Sequence, residues 1–102
     1  CHLTQRSGDI ALGIPFNLAC YSALTMAIAQ EVGLEPGVFA HTIVDAHIYV
    51  NHIDGLKEQL TRSPKALPKL KIANKPVDEL SFGDFELTGY DPDPLIRFEV
   101  AV

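Results

Sequence analysis

The sequence predicts a mixed α/β (α+β) domain. Three observations point there. Residues 10–30 carry no formal charge and have a helical composition, whereas residues 38–50 are rich in β-branched and aromatic side chains. Short segments at 70–73 and 85–88 read as strands set between turns bearing Pro and Gly. Helical and extended segments therefore alternate, but without the short, even spacing of a doubly wound fold. A length of 102 residues suits one small domain or a piece of a larger one.

Each element has its own signal. Residues 2–7 mix polar and apolar positions and read as a strand, and Gly8-Asp9 reads as a turn. Gly13-Ile14-Pro15 is a second break, with Pro15 suited to a first helical turn. Phe16 to Val32 is apolar around most of its circumference, as in a helix covered on most sides, and Gly33 fits its stop. Val38 to Val50 reads as one long strand. Asn51 or His52 opens a second helix, because Ile53, Leu56 and Leu60 recur at helical spacing. Residues 61–68 form a loop with Pro64 and Pro68. Leu70–Ala73 and Phe85–Thr88 are short strands around a turn region at 76–84. Pro92 and Pro94 make 89–94 irregular, and the tail 95–102 is extended and apolar.

Composition narrows the function. A formal net charge of −5 argues against general nucleic-acid binding, which needs a surplus of Lys and Arg. A single placed Arg still suffices for one anionic small molecule. The uncharged run is broken by Gly13 and Pro15 and carries Asn17, Ser22, Thr25 and Gln30, so a buried helix is expected rather than a membrane span. Cys1 and Cys20 are too few for a disulfide scaffold, and no Cys/His set has zinc-finger spacing, so reduced thiols in the cytoplasm and no bound metal are expected. No cleavable signal is expected either, and the lead residue Cys1 suggests that the sequence begins mid-protein.

Four groups of residues could carry chemistry. In Gln5-Arg6-Ser7-Gly8-Asp9, the Arg6 fork matches phosphate oxygens, Ser7 adds a hydroxyl, Gly8 admits close backbone approach and Asp9 adds a carboxylate. A surface turn with a solvated ion pair fits the same residues. Asn17 offers a donor and an acceptor, enough to read the edge of a base, or it is a cap or core amide. Strand alternation puts Asp45, His47 and Tyr49 on one face, either as a pocket wall for hydroxyls or as a solvent-facing side. His47 and His52 lack an obvious third partner for a metal. Cys1-His2 suggests an activated nucleophile, but adjacent strand residues point to opposite faces, which favours an ordinary strand cysteine.

Together these pieces resemble thymidylate synthase. The motifs are Gln5-Arg6-Ser7-Gly8-Asp9, Leu12-Gly13-Ile14-Pro15-Phe16-Asn17, Asp45-Ala46-His47-Ile48-Tyr49 with Asn51-His52, Leu67-Pro68-Lys69-Leu70 and Gly89-Tyr90-Asp91-Pro92. Each is weak alone, but in this order they are specific, and the likeness runs from Cys1 to Val102. The resemblance implies a thymidylate synthase-like mixed sheet with packed helices, of which residues 1–102 would be the C-terminal part of a single domain. It implies reductive methylation of dUMP to dTMP, with 5,10-methylenetetrahydrofolate as one-carbon and hydride donor, in a cytoplasmic homodimer that binds neither nucleic acid nor membrane.

Roles follow from the resemblance, position by position. Arg6 and Ser7 would hold the dUMP phosphate, with Gly8 and Asp9 touching the nucleotide and Asp9 also the folate. Asn17 would pair with the uracil edge, and His47, Ile48 and Tyr49 would bind the deoxyribose. Leu12, Gly13 and Phe16 would line the folate pocket, with Ala101 and Val102 as a closing latch. The family's nucleophile is a Cys followed by His roughly twenty residues before the position of Arg6. Cys1 stands five before it, so the nucleophile is expected upstream and no catalytic residue in this stretch. Two departures stand out: Ile43-Val44 where a small residue or glycine is common, behind the sugar site, and Asp93 where a His is common. The alternatives are a deoxycytidylate hydroxymethylase-like relative, which would be expected to carry Asp in place of Asn17, and a catalytically inactive fragment or binding module.

Overall fold

A computed structural model describes residues 1–100. It is a mixed α/β structure with its strands in two small sheets. Strand β1 (His2–Asp9) leads through helix α1 (Gly13–Glu31) to strand β2 (Ala40–His47), which pairs parallel to β1. The ladder runs from His2↔Ala40 to Asp9↔His47. A 3-10 turn at Val50–His52 opens helix α2 (Ile53–Leu60). Strands β3 (Lys69–Ile72) and β4 (Phe85–Thr88) pair antiparallel as the second sheet, and residues 89–100 form no helix or strand.

Several boundaries differ from the sequence reading, each for a visible reason. Gly8 and Asp9 end β1 instead of forming a turn. A Cβ on Gly8 would lie 2.6 Å from Ile14 Cδ1 and 3.1 Å from Ile43 Cγ2, so its missing side chain lets α1 pack against β1. Strand β2 stops at His47, short of the expected Val50, because the chain turns into the 3-10 segment. Helix α1 starts at Gly13, and Pro15 falls in its first turn as expected. The helix ends in a Schellman motif: Leu34 N–H donates to Ala29 O (2.8 Å) and Gly33 N–H to Gln30 O (3.2 Å), with Gly33 at φ +68°.

Helix α1 is much less covered than its composition predicts. It buries only Ile14 and Ala27, while Phe16, Leu18, Leu24 and Ile28 are exposed. The chain exposes 7895 Å², against about 5,700 Å² for a folded monomer of this mass. Its radius of gyration is 15.8 Å, where about 13 Å is usual for 100 residues. An apolar helix face of this extent is stable only against other protein. No helix among the described residues is long and apolar enough to cross a membrane.

Candidate functional site

The chemistry-bearing residues gather where the parallel strands end. Parallel strands put both carboxyl ends at one edge, which is where α/β folds collect ligand-binding groups. Asp9 closes β1 opposite His47, which closes β2, and Ile10 N–H donates to His47 O (3.0 Å). Ser7 Oγ donates to Asp45 Oδ2 (3.4 Å), and the His47 ring bonds the Asp45 carbonyl through Nδ1 (3.2 Å). The Tyr49 ring stands edge-on to His47 (5.3 Å between centroids) and to His52 (5.6 Å). Tyr49 is thus beside His47 as expected, although it lies past the strand end, so alternation is not what places it. Ile48 is exposed between them.

Asn17 is joined to this edge by Gln5, a residue that the sequence reading passed over. Gln5 Nε2 donates to Asn17 Oδ1 (3.0 Å) and to Ser7 O (2.8 Å), while Gln5 Oε1 pairs with His41 Nε2 (2.9 Å). Both ends of the Gln5 amide are therefore fixed, and Asn17 Oδ1 is held by one donor. Its Nδ2 and a second lone pair of Oδ1 remain for another partner. A signal for Gln5 existed in its alternation with Leu3 and Ser7, on the strand face opposite Arg6.

Asp9 organises the approach to α1. Its Oδ1 accepts from Ala11 N–H (3.0 Å) and Leu12 N–H (3.4 Å). Gly13 sits so close that an added Cβ would lie 3.7 Å from both Asp9 Cβ and Asn17 Oδ1. Asp9, Gly13 and Asn17 are thereby one cluster. Leu12 and Phe16 line a groove of about 760 Å³, whose other wall is Leu95 to Glu99 with Asn51 at the end. Phe16 is 71% exposed, so an apolar ring stands open at this groove.

Arg6 stands apart. It is exposed and makes no hydrogen bond or ion pair among the described residues, and the Arg6–Val44 pair is absent from the β1–β2 ladder. Its guanidinium is uncommitted among the described residues, and the groove lined by Leu12 and Phe16 includes neither Arg6 nor Asn17. Ala101 and Val102, expected as a latch, lie outside the described residues. Among the described residues no group of three His, Cys, Asp or Glu side chains is arranged to hold a metal ion.

Cys1 and His2 form no nucleophile pair. The His2 ring bonds Thr42 Oγ1 through Nε2 (3.0 Å), and Cys1 is free and exposed at the far end of β1. At about 3.3 Å per strand residue it lies roughly 25 Å from Asp9. Of the two departures from the family pattern, Ile43 packs under Gly8 and Val44 is exposed, while Asp93 pairs with Lys65 (3.1 Å) away from the site.

His52 is the other residue whose importance was not read from the sequence. It is fully buried, and its Nε2 donates to Glu99 O at 2.6 Å. Its Nδ1 has no hydrogen-bond partner among the described residues and lies 3.8 Å from Asp9 Oδ1. Asn51 Nδ2 donates to the same Glu99 carbonyl (3.3 Å).

Comparison with known proteins gives the family. The family model described as thymidylate synthase matches residues 1–102. The chain is 53% identical to the thymidylate synthase of Homo sapiens, covering 100% of this chain and 33% of that protein. It is 54% identical to the thymidylate synthases of Listeria innocua and Listeria monocytogenes, with the same coverage. The chain therefore spans about a third of the length of the curated relatives it matches. The chain belongs to the thymidylate synthase family.

Proposed function

We propose that these residues form the C-terminal part of a single thymidylate synthase domain, supplying nucleotide- and folate-binding groups for the conversion of dUMP to dTMP. The reduced folate, 5,10-methylenetetrahydrofolate, supplies the one-carbon unit and the hydride. The nucleophilic cysteine and its general acid-base partners belong to the preceding part of the protein. The reading places the enzyme in the cytoplasm as a homodimer. The uncovered apolar face of α1 supports burial against further protein, including a second copy.

The observation that carries this reading is the fixed amide of Asn17. Uracil presents a carbonyl at C4 and an N–H at N3, so it needs a donor beside an acceptor. Asn17 offers both, through Nδ2 and the remaining lone pair of Oδ1, with Gln5 holding the amide from behind. Cytosine presents the reverse pattern and leaves both groups unpaired. His47 and Tyr49, side by side at the end of β2, provide polar atoms for the deoxyribose hydroxyl, with Ile48 between them. Arg6 and Ser7 take the phosphate: the guanidinium has no partner among the described residues and can make charge-assisted bonds. Gly8 and Asp9 contact the nucleotide along their backbone. Asp9 also faces the folate, and Leu12 and Phe16, which line the groove, provide its apolar pocket together with Gly13. Ala101 and Val102 close over it.

Asn17→Asp in the full-length protein tests the reading. The kcat/KM ratio for dUMP over dCMP is expected to fall about 100-fold or more, because a site built to pair with a donor–acceptor edge rejects a mismatch strongly. An unchanged pyrimidine preference would remove Asn17 from the proposed role.

A further inference from the structure

His52 ties together the two walls of the groove beside α1. One wall is the segment Leu95–Glu99, and the other is Leu12 and Phe16. Toward the first wall, His52 Nε2–H donates to Glu99 O at 2.6 Å, and the ring meets Phe98 edge-on at 5.2 Å. Toward the second, it lies 3.8 Å from the Asp9 carboxylate, which holds the Ala11 and Leu12 amides. The tail thus takes its position from the same side chain that abuts the start of α1.

A packing role alone does not account for a histidine here. Phenylalanine would fill the same space between Tyr49 and Phe98 without burying two ring nitrogens. The ring is completely buried and its Nδ1 has no partner among the described residues, so the bond to Glu99 is what its polarity contributes. The tail is also keyed to α2 through Gly55: a Cβ there would lie 2.6 Å from Phe98 Cε1 and 3.1 Å from Ile96 Cγ2. Residues 89–100 have no helix or strand of their own, so side-chain bonds of this kind hold them.

We propose that His52 is a positioning residue for reduced-folate binding: its bond to the Glu99 carbonyl fixes Leu95–Glu99 as the groove wall opposite Leu12 and Phe16. The proposal rests on the functional reading above, which assigns Leu12 and Phe16 to the folate. His52 touches no reacting atom in it.

The experiment uses the full-length protein with His52→Phe, His52→Gln and Gly55→Ala. His52→Phe keeps the ring and loses the bond. It is expected to raise the KM for 5,10-methylenetetrahydrofolate about tenfold, the effect of one lost hydrogen bond, while the Kd for dUMP stays within about twofold. His52→Gln, whose amide restores a donor, is expected to recover most of that loss. Gly55→Ala, which displaces the tail without touching His52, is expected to reproduce the selective KM rise, and it carries the test if the His52 variants do not fold. Tryptic cleavage after Arg97 reads tail docking without any turnover and is expected to quicken about tenfold in His52→Phe and in Gly55→Ala, as local opening becomes more frequent. Equal changes for both substrates, no rescue by glutamine, or a Gly55→Ala protein identical to wild type would each overturn the proposal. Wild-type protein that turns over no dUMP would overturn the functional reading instead, and the cleavage rates would still report whether His52 holds the tail.

Discussion

The two sheets of this chain are held in different ways. The parallel β1–β2 pair is backed by α1 and carries a chain of side-chain bonds through His41, Gln5, Asn17 and Ser7. Close backbone approach at Gly8 and the buried His52 complete that end. The antiparallel β3–β4 pair is decorated with ion pairs at the surface: Lys75–Asp84 (2.6 Å), Lys71–Glu86 (3.9 Å) and, nearby, Lys65 with Asp91 and Asp93 (3.1 Å each). Exposed pairs of this kind typically contribute about 0–1 kcal/mol each. The first sheet is where geometry is specified, and the second is a support that tolerates change. Gln30 bridges them, donating from α1 to the Ala73 carbonyl (2.9 Å).

Arg6→Ala sharpens this contrast most. Its guanidinium has no partner among the described residues, so thermal stability is expected to stay within about 0.5 kcal/mol of wild type. If it grips the phosphate, kcat/KM for dUMP should fall about 10- to 100-fold, the range for one charge-assisted hydrogen bond. A large drop in Tm with unchanged kinetics would make Arg6 a structural residue. Gly8→Ala comes next and is expected to cost about 1–2 kcal/mol, because Ile43 Cγ2 cannot swing aside as the Ile14 terminus can. The matching Gly83→Ala in the second region meets nothing within 4 Å and should be neutral in the same denaturation assay. Equal effects at the two positions would erase the distinction between the regions.

Gln5→Leu should reduce kcat/KM for dUMP about tenfold by releasing the Asn17 amide, and should narrow discrimination against dCMP. Steady-state kinetics with both nucleotides tests this, and unaltered discrimination would leave Gln5 a purely structural link. The smallest effect concerns acid. The Lys75 ammonium, with the Ser81 backbone and hydroxyl, lowers the Asp84 pKa from 3.8 to about 2. A carboxyl depressed on folding adds stability that is fully present above pH 3.8 and is lost as the pH falls through about 2. An NMR titration of the Asp84 carboxyl should have its midpoint near pH 2, and a midpoint near 3.8 would show the pair to be open in solution.

Local signals in the sequence carried much of this. Gly33 and Pro15 mark the ends of α1, and prolines bound the irregular segment at 92–94. Where the sequence misled, the cause was contact between distant parts. Gly8 looked like a turn residue because the need for it lies in α1 and β2. His52 is buried by a tail 47 positions later, which no local pattern announces. Tyr49 was placed beside His47 by strand alternation and is beside it, but through the bend after β2. The uniform apolarity of α1 was legible, but the described residues bury only Ile14 and Ala27 of it.

The offset of the β1–β2 ladder also bears on how the molecule assembles. The paired β1 residues each match one 38 positions later, as in His2↔Ala40, whereas Ile72 pairs with Phe85 only 13 later. Closing the longer loop costs about 1 kcal/mol more in chain entropy. The antiparallel hairpin should therefore form early, and the nucleotide-reading edge should wait until α1 has folded and carried β2 back to β1. In refolding of the whole chain the apolar helix would spend that interval uncovered, which makes the slow parallel pairing the stage most exposed to aggregation.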